Sequence, residues 1–102
     1  MIVREWRGRA DPGSAEEYPK HFRDKVVPEL RQVPGFISAR LSGRRLDDEI
    51  EFLVLTVWRS MQSIQAFAGA DVGRAVVEPG AVAALTTFDA SVQHYELMED
   101  IQ

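Results

Sequence analysis

Two spacings of apolar residues take turns along the chain, and their order reads β-α-β-β-α-β. Residues 2–8 alternate, with Ile2, Arg4 and Trp6 on one face and Val3, Glu5 and Arg7 on the other, which predicts a first strand. Asp11-Pro12-Gly13 is a turn signal. Ser14-Ala-Glu-Glu17 has the form of a capping box, in which the Ser14 hydroxyl accepts from a free helix N–H and Glu17 reaches back. Tyr18, Phe22, Val26 and Leu30 then recur every fourth residue, the apolar face of a helix. Pro28 carries no N–H, so the regular helix should kink or end near Val26 or Val27.

Pro34-Gly35 breaks the chain, and Phe36 to Gly43 alternates as a second strand. After a polar turn from Arg44 to Asp48 comes Glu51-Phe-Leu-Val-Leu-Thr-Val-Trp58, apolar on both faces over most of its length. A strand with one wet face would alternate, so this one requires cover on both sides. Ser60 is placed to cap a second helix carrying Met61, Ile64, Phe67 and Ala68, and Gly69 to stop it. Asp71 to Val77 reads as a further helical turn or two. Glu78-Pro79-Gly80 interrupts it, and Ala81 to Leu85 reads as a short helical piece. Pro79, Gly80 and the small residues around them make 78–88 a candidate mobile flap. Ser91 to Met98 is the last strand.

This order is that of an α+β, ferredoxin-like fold: a four-stranded antiparallel sheet with its first and third strands central. Helices cover one face of such a sheet. The Leu and Val residues of the third strand that point the other way need a second cover. A second copy of the sheet is the simplest one, which makes a homodimer through the sheet face and a dimeric α/β barrel.

Composition narrows the chemistry. The 102 residues fit one domain, 1–102, and 45% apolar with 27% charged residues is an ordinary globular profile. No apolar run approaches a membrane span, and the first residues lack the basic-then-apolar layout of a signal peptide, so no membrane partner and a cytoplasmic location are expected. Without cysteine there is no thiolate catalysis and no cysteine-ligated metal. A net charge of −4, from 12 basic and 16 acidic residues, argues against nucleic acid as a partner. His21 and His94 have no spacing that suggests a metal site, and no metal or other cofactor is expected.

Several segments together resemble the antibiotic biosynthesis monooxygenase-like superfamily of dimeric α/β barrels. They are Trp6-Arg-Gly8, Val33-Pro-Gly-Phe36, Phe52-Leu-Val-Leu-Thr-Val-Trp-Arg-Ser60, Ile64-Gln-Ala-Phe-Ala-Gly69 with Asp71 and Arg74-Ala-Val76, and His94-Tyr-Glu96. The resemblance implies either cofactor-independent oxidation of an aromatic substrate by dioxygen or oxidative degradation of haem. The first uses an Asn, a Trp, a Tyr and an Arg around a pocket between sheet and helices; the second uses an axial His with an Asn and a Trp. Trp58 matches the pocket Trp. The chain has no Asn, and Val77 takes the place of the axial His. The expectation is therefore a monooxygenase-type enzyme acting on a small hydrophobic aromatic molecule, or else a non-catalytic small-ligand-binding dimer. Haem degradation is disfavoured.

Each candidate site residue carries a structural alternative. His94, sharing a face with Val92 and Glu96, is either a general base toward a phenol or a hydrogen-bond partner for a neighbouring strand or the other subunit. Trp58 either stacks on an aromatic ligand or closes the end of the core, and Trp6 has the same two readings. His21, next to Phe22, either points to the pocket or to solvent. Arg74 either reaches a substrate oxyanion or pairs with Asp71 three residues earlier. Arg40 either faces the pocket or joins a structural ion pair, and Arg4 needs a partner, a carboxylate such as Glu96 or a group across the dimer. Phe67 is at core spacing on the second helix and is a candidate ligand contact.

Overall fold

The computed structural model describes residues 1–102. Five strands form one antiparallel sheet: β1 (Ile2–Ala10), β2 (Phe36–Arg45), β3 (Ile50–Trp58), β4 (Thr87–Phe88) and β5 (Gln93–Glu96). The order is β2-β3-β1, and both β4 and β5 pair with the far edge of β1. The final strand of the expected four is thus present in two pieces: β4 pairs at Gly8 and Arg9, β5 at Ile2 to Glu5. Between them the chain leaves β1 to pair with residues 73–75, where Ala75 N–H donates to Ala90 O and Val92 N–H to Gly73 O.

The first helical segment runs from Glu17 to Leu30 as α1 (Glu17–His21), a π turn (Phe22–Val26) and α2 (Val27–Leu30). Pro28 neither ends nor breaks it. The wide turn just before Pro28 takes up the irregularity that a ring without an N–H imposes. The expected capping box does not form. Asp11 instead accepts from Gly13 N–H at 2.8 Å and folds Pro12–Ser14 into a 3₁₀ turn, so Ser14 lies inside that turn and α1 begins without a side-chain cap.

Ser60 does cap α3 (Met61–Ala68), accepting from Ser63 N–H at 3.2 Å. Gly69 follows at φ 84°, a backbone state that suits glycine at a helix end. Residues 71–77 are not helical. They form a turn and an extended stretch that pairs with 90–92, because backbone exchange there replaces helix bonds. Pro79 does not interrupt a helix but starts one, α4 (Pro79–Ala84), at a position that lacks a helix-bonding N–H in any case. Ala81, Ala84 and Leu85 are buried in the main core, so 78–88 is a packed element rather than a flap.

Strand register decides the two faces. Arg4, Trp6, Gly8 and Ala10 face the helices, opposite Thr56, Val54, Phe52 and Ile50. The main core joins Tyr18 and Phe22 of the first helical segment, Phe52 and Val54 of β3, and the buried residues of α4. A second cluster gathers Leu30, Trp58 and Ile64. Trp58 and Ile64 are wholly buried, and removing an Ile side chain from water stabilises by roughly 1.5–3 kcal/mol. On the other face Val3, Leu53, Leu55 and Val57 are only half buried, as expected of a strand apolar on both sides with helices over one of them.

Candidate functional site

A cavity opens between the helix face of the sheet and the first helical segment, with α4 and residues 76–78 along its side. Its volume is about 70 Å³, enough for several waters. Trp6, Tyr18, Val54, Phe67, Ala81 and Val92 give it mostly apolar walls. Its polar groups are Arg4, His21, Glu29, Thr56 and Glu78.

Arg4 is buried on the central strand, and its guanidinium makes three hydrogen bonds within the protein. Nη1 donates to Val72 O at 2.7 Å and to His94 Nε2 at 2.9 Å, and Nη2 donates to Arg74 O at 3.1 Å. Glu96, the partner expected from sequence, sits opposite Ile2 and plays no part. The expected carboxylate is replaced by two carbonyls and an imidazole, and burial lowers the Arg4 pKa. Arg4 also lies over the Phe67 ring, 5.9 Å from its centroid.

This arrangement fixes the state of His94. A guanidinium can only donate, so Nε2 must accept and the ring is neutral with its proton on Nδ1. Burial, then the charge of Arg4, depress its pKa. The lone pair that a general base would use is already engaged, and His94 stands behind Arg4 rather than on the cavity wall.

Trp58 is likewise one layer back. It is 0% exposed, its Nε1–H donates to Thr56 Oγ1 at 2.8 Å, and Phe67 stacks on it at 5.5 Å. Phe67 is the ring that meets the cavity. Trp6 reaches it too, held by Nε1–H donation to Asp89 O at 2.7 Å and tilted against Tyr18.

His21 points inward from α1. Its side chain is 12% exposed, and Nε2 is buried without a hydrogen-bond partner, 3.9 Å from the Glu78 carboxylate. Gly80 presses on the ring so closely that a Cβ there would lie 2.7 Å from Nδ1 and Cε1. Burial, with the neighbouring Glu29 carboxylate, pushes the Glu78 carboxyl up. Burial, with the charge of Glu78, pushes the Tyr18 phenol up.

Of the sequence candidates, the fold brings Trp6, His21 and Phe67 to one cavity. It does not bring Arg40 or the Arg74 side chain there. Arg40 lies opposite Leu55 on the open sheet face and is exposed, since Ala39 and Leu41 of the same strand take the helix side. Arg74 is exposed and contributes its carbonyl; its N–H donates to Asp71 O, but the two side chains form no ion pair. Arg4, Tyr18, Glu29 and Glu78 line the cavity without having been singled out as ligand contacts. The helical period signals two of them, because Tyr18 lies three residues before His21 and Glu29 three residues after Val26.

A helix-covered antiparallel sheet with its pocket between the layers defines the class as ferredoxin-like α+β. Residues 1–79 match the family described as antibiotic biosynthesis monooxygenase, and the chain belongs to that family. Solved structures with the same fold include a candidate antibiotic biosynthesis monooxygenase from Deinococcus radiodurans (18% identity, TM-score 0.67, covering 100% of this chain and 97% of that one). The haem degrader MhuD from Mycobacterium tuberculosis, with two haems bound in its active site, superposes with TM-score 0.65 at 23% identity, covering 100% of both chains. SnoaB from Streptomyces nogalater, a cofactor-independent oxygenase, does so with TM-score 0.62 at 17% identity, covering 98% of this chain and 96% of that one. No curated protein matches the sequence. No helix is long and apolar enough to cross a membrane.

Proposed function

We propose that this chain is a cofactor-independent, monooxygenase-type enzyme that acts in the cytoplasm on a small hydrophobic aromatic molecule held in the cavity. The observation that carries the reading is the wall of Trp6, Tyr18 and Phe67 around a small, mostly apolar cavity between sheet and helices. SnoaB, a cofactor-independent oxygenase of the same fold, supports the reaction type. One oxygen atom of dioxygen would enter a ring CH₂ as a carbonyl and the other would leave as water, with the electrons coming from the substrate.

Haem fits poorly. No His stands at Val77, and the carboxyls of Glu29 and Glu78 line the cavity, where they repel haem propionates. Aerobic incubation with hydroxyanthrones and quinols, followed by oxygen uptake and product detection, tests the enzyme reading. Turnover that drops in Phe67→Ala supports it, and no turnover across the panel sinks it.

A specific observation favours the second reading, a non-catalytic binding dimer. With His94 Nε2 bonded to Arg4 and no Asn in the chain, few groups are free for catalysis. Thermal stabilisation by aromatic ligands without turnover would select it. In both readings the half-buried Val3, Leu53, Leu55 and Val57 face a second copy of the chain.

A further inference from the structure

We infer that Arg40 and Glu5 make two reciprocal ion pairs across the open sheet face, each Arg40 with Glu5 of a second copy, and that these pairs set how the two copies are oriented. This rests on the pairing of two copies proposed above, and it assigns the residues that direct it.

Strand register places Arg40, Leu55 and Glu5 in one row across β2, β3 and β1, all on the open face. Val57 and Val3 lie in the row before, Leu53 and Arg7 in the row after. Four arginines share this face, and three of them are paired within the chain. Arg7 holds Glu5, Arg44 holds Glu51, and Arg9 lies between Glu51 and Asp89. Arg40 is the exception: exposed in the middle of β2, it has no carboxylate beside it. Glu5 takes Arg7 Nη1 on Oε1, which leaves Oε2 able to accept a second donor. One unpaired cation and one available carboxylate oxygen thus flank Leu55, each a strand spacing of about 4.8 Å away.

Two copies that meet face to face in a closed dimer are related by a two-fold axis lying between the sheets. Leu53, Leu55 and Val57 form an apolar stripe along β3, so burial of apolar area places the axis over that strand. If the axis runs along β3, each row meets the same row of the other copy with left and right exchanged. Arg40 then stands over Glu5 twice, and Leu55 over Leu55. If the axis instead crosses the strands at Leu55, Arg40 stands over Arg40, Glu5 over Glu5, and Val3 over Arg7. Like charges brought together in a space that pairing dries are costly, so the charges select the first arrangement. The row of Arg44, Glu51 and Arg9, at the end of the sheet, is already balanced inside each chain with Asp89 and does not oppose it.

The test is sedimentation equilibrium of the whole protein at neutral pH and low salt, where exposed charges are least screened. Arg40→Glu and Glu5→Arg, each alone, put two like-charge contacts into the dimer and should raise its Kd at least about tenfold. An equal mixture of the two variants brings opposite charges together at both contacts, so heterodimers should recover the wild-type Kd within about threefold. Arg40→Gln reads the orientation alone. It removes two attractions and should weaken the dimer about fivefold, whereas with Arg40 over Arg40 it would relieve a repulsion and tighten it. The Arg40 side chain is exposed and unpaired, so its variants should fold as the wild type does. An unchanged or tighter dimer in Arg40→Gln overturns the inference, as does a mixture no tighter than its components. In both cases a dimeric wild type leaves the pairing itself standing. A wild-type monomer removes the second copy as the occupant of this face, and the inference with it.

Discussion

Gly80 faces the His21 ring at a distance that leaves no room for a methyl group, and Gly80→Ala turns this into a measurement. The added Cβ would sit 2.7 Å from Nδ1 and Cε1 of His21. Carbon contacts settle at roughly 3.5–4.0 Å, so the ring or the helix must move by most of an ångström. Tyr18, 6.1 Å away between ring centroids, and Glu78 confine the ring on other sides. Overpacking of this kind costs about 1–3 kcal/mol. Against it, alanine improves on glycine in a helix by about 0.5–1 kcal/mol. The expected net is a loss of about 0.5–2 kcal/mol. In a His21→Ala background the clash is gone and only the helix gain remains, so the same change should stabilise by about 0.5–1 kcal/mol. Urea unfolding of the four proteins of this cycle, compared at equal slope, reads both numbers. A Gly80→Ala protein as stable as the wild type, or an effect of the same sign and size in both backgrounds, would refute the argument that His21 is held by contact with α4.

Arg4→Met should lower stability by about 2–4 kcal/mol, because the carbonyls of Val72 and Arg74 and the His94 ring lose their donor together. Arg4→Lys should recover less than half of that in urea unfolding, since an ammonium lacks the planar fork; full recovery would count against the described network. His94 has its folded pKa depressed below 6.5, so the unfolded chain takes up the proton first as pH falls. Its contribution should be complete above about pH 6.5 and decline below it until folded His94 itself protonates, and His94→Gln should flatten that part of a melting-temperature profile. An unchanged slope in His94→Gln would contradict the assignment. Leu55→Arg, in the middle of the open sheet face, should give by light scattering the mass of one chain, 11.5 kDa, where the wild type gives twice that; a wild-type monomer would remove the proposed pairing.

Much of the sheet was legible from period-two alternation. β1 and β3 lie within two residues of their expected limits, and the doubly apolar β3 is central. Helix α3 was legible because Ser60 and Gly69 act locally, one through a hydroxyl and one through a positive φ. What failed depended on competition between local signals or on distant partners. Ser14-to-Glu17 lost to the Asp11 turn, which claimed the same stretch first. The 71–77 segment had helix-like spacing but is held out of a helix by residues 90–92, between β4 and β5, and by a guanidinium from β1. The side of Arg40 could have been read from its own strand, since Ala39 and Leu41 form the apolar set. For His94 a bond to a neighbouring strand was one of the readings, but Arg4 as the partner could not be read, because it needs the register that places residue 94 against residue 4.

The π turn at Phe22–Val26 also sets the tolerance of this helix to insertion and deletion. Tyr18 and Phe22 belong to the main core, while Leu30 belongs to the second cluster around Trp58. A helix advances about 100° per residue, so losing one residue from α1 or α2 would rotate everything beyond it by that angle, and either Leu30 would leave its cluster or His21 would swing off the cavity wall. The π turn holds one more residue than an α turn over about the same rotation, so a residue lost there is absorbed as the turn tightens to i→i+4 bonding. The segment therefore tolerates a one-residue deletion at the exposed Arg23, Asp24 or Lys25 and not on either side of them.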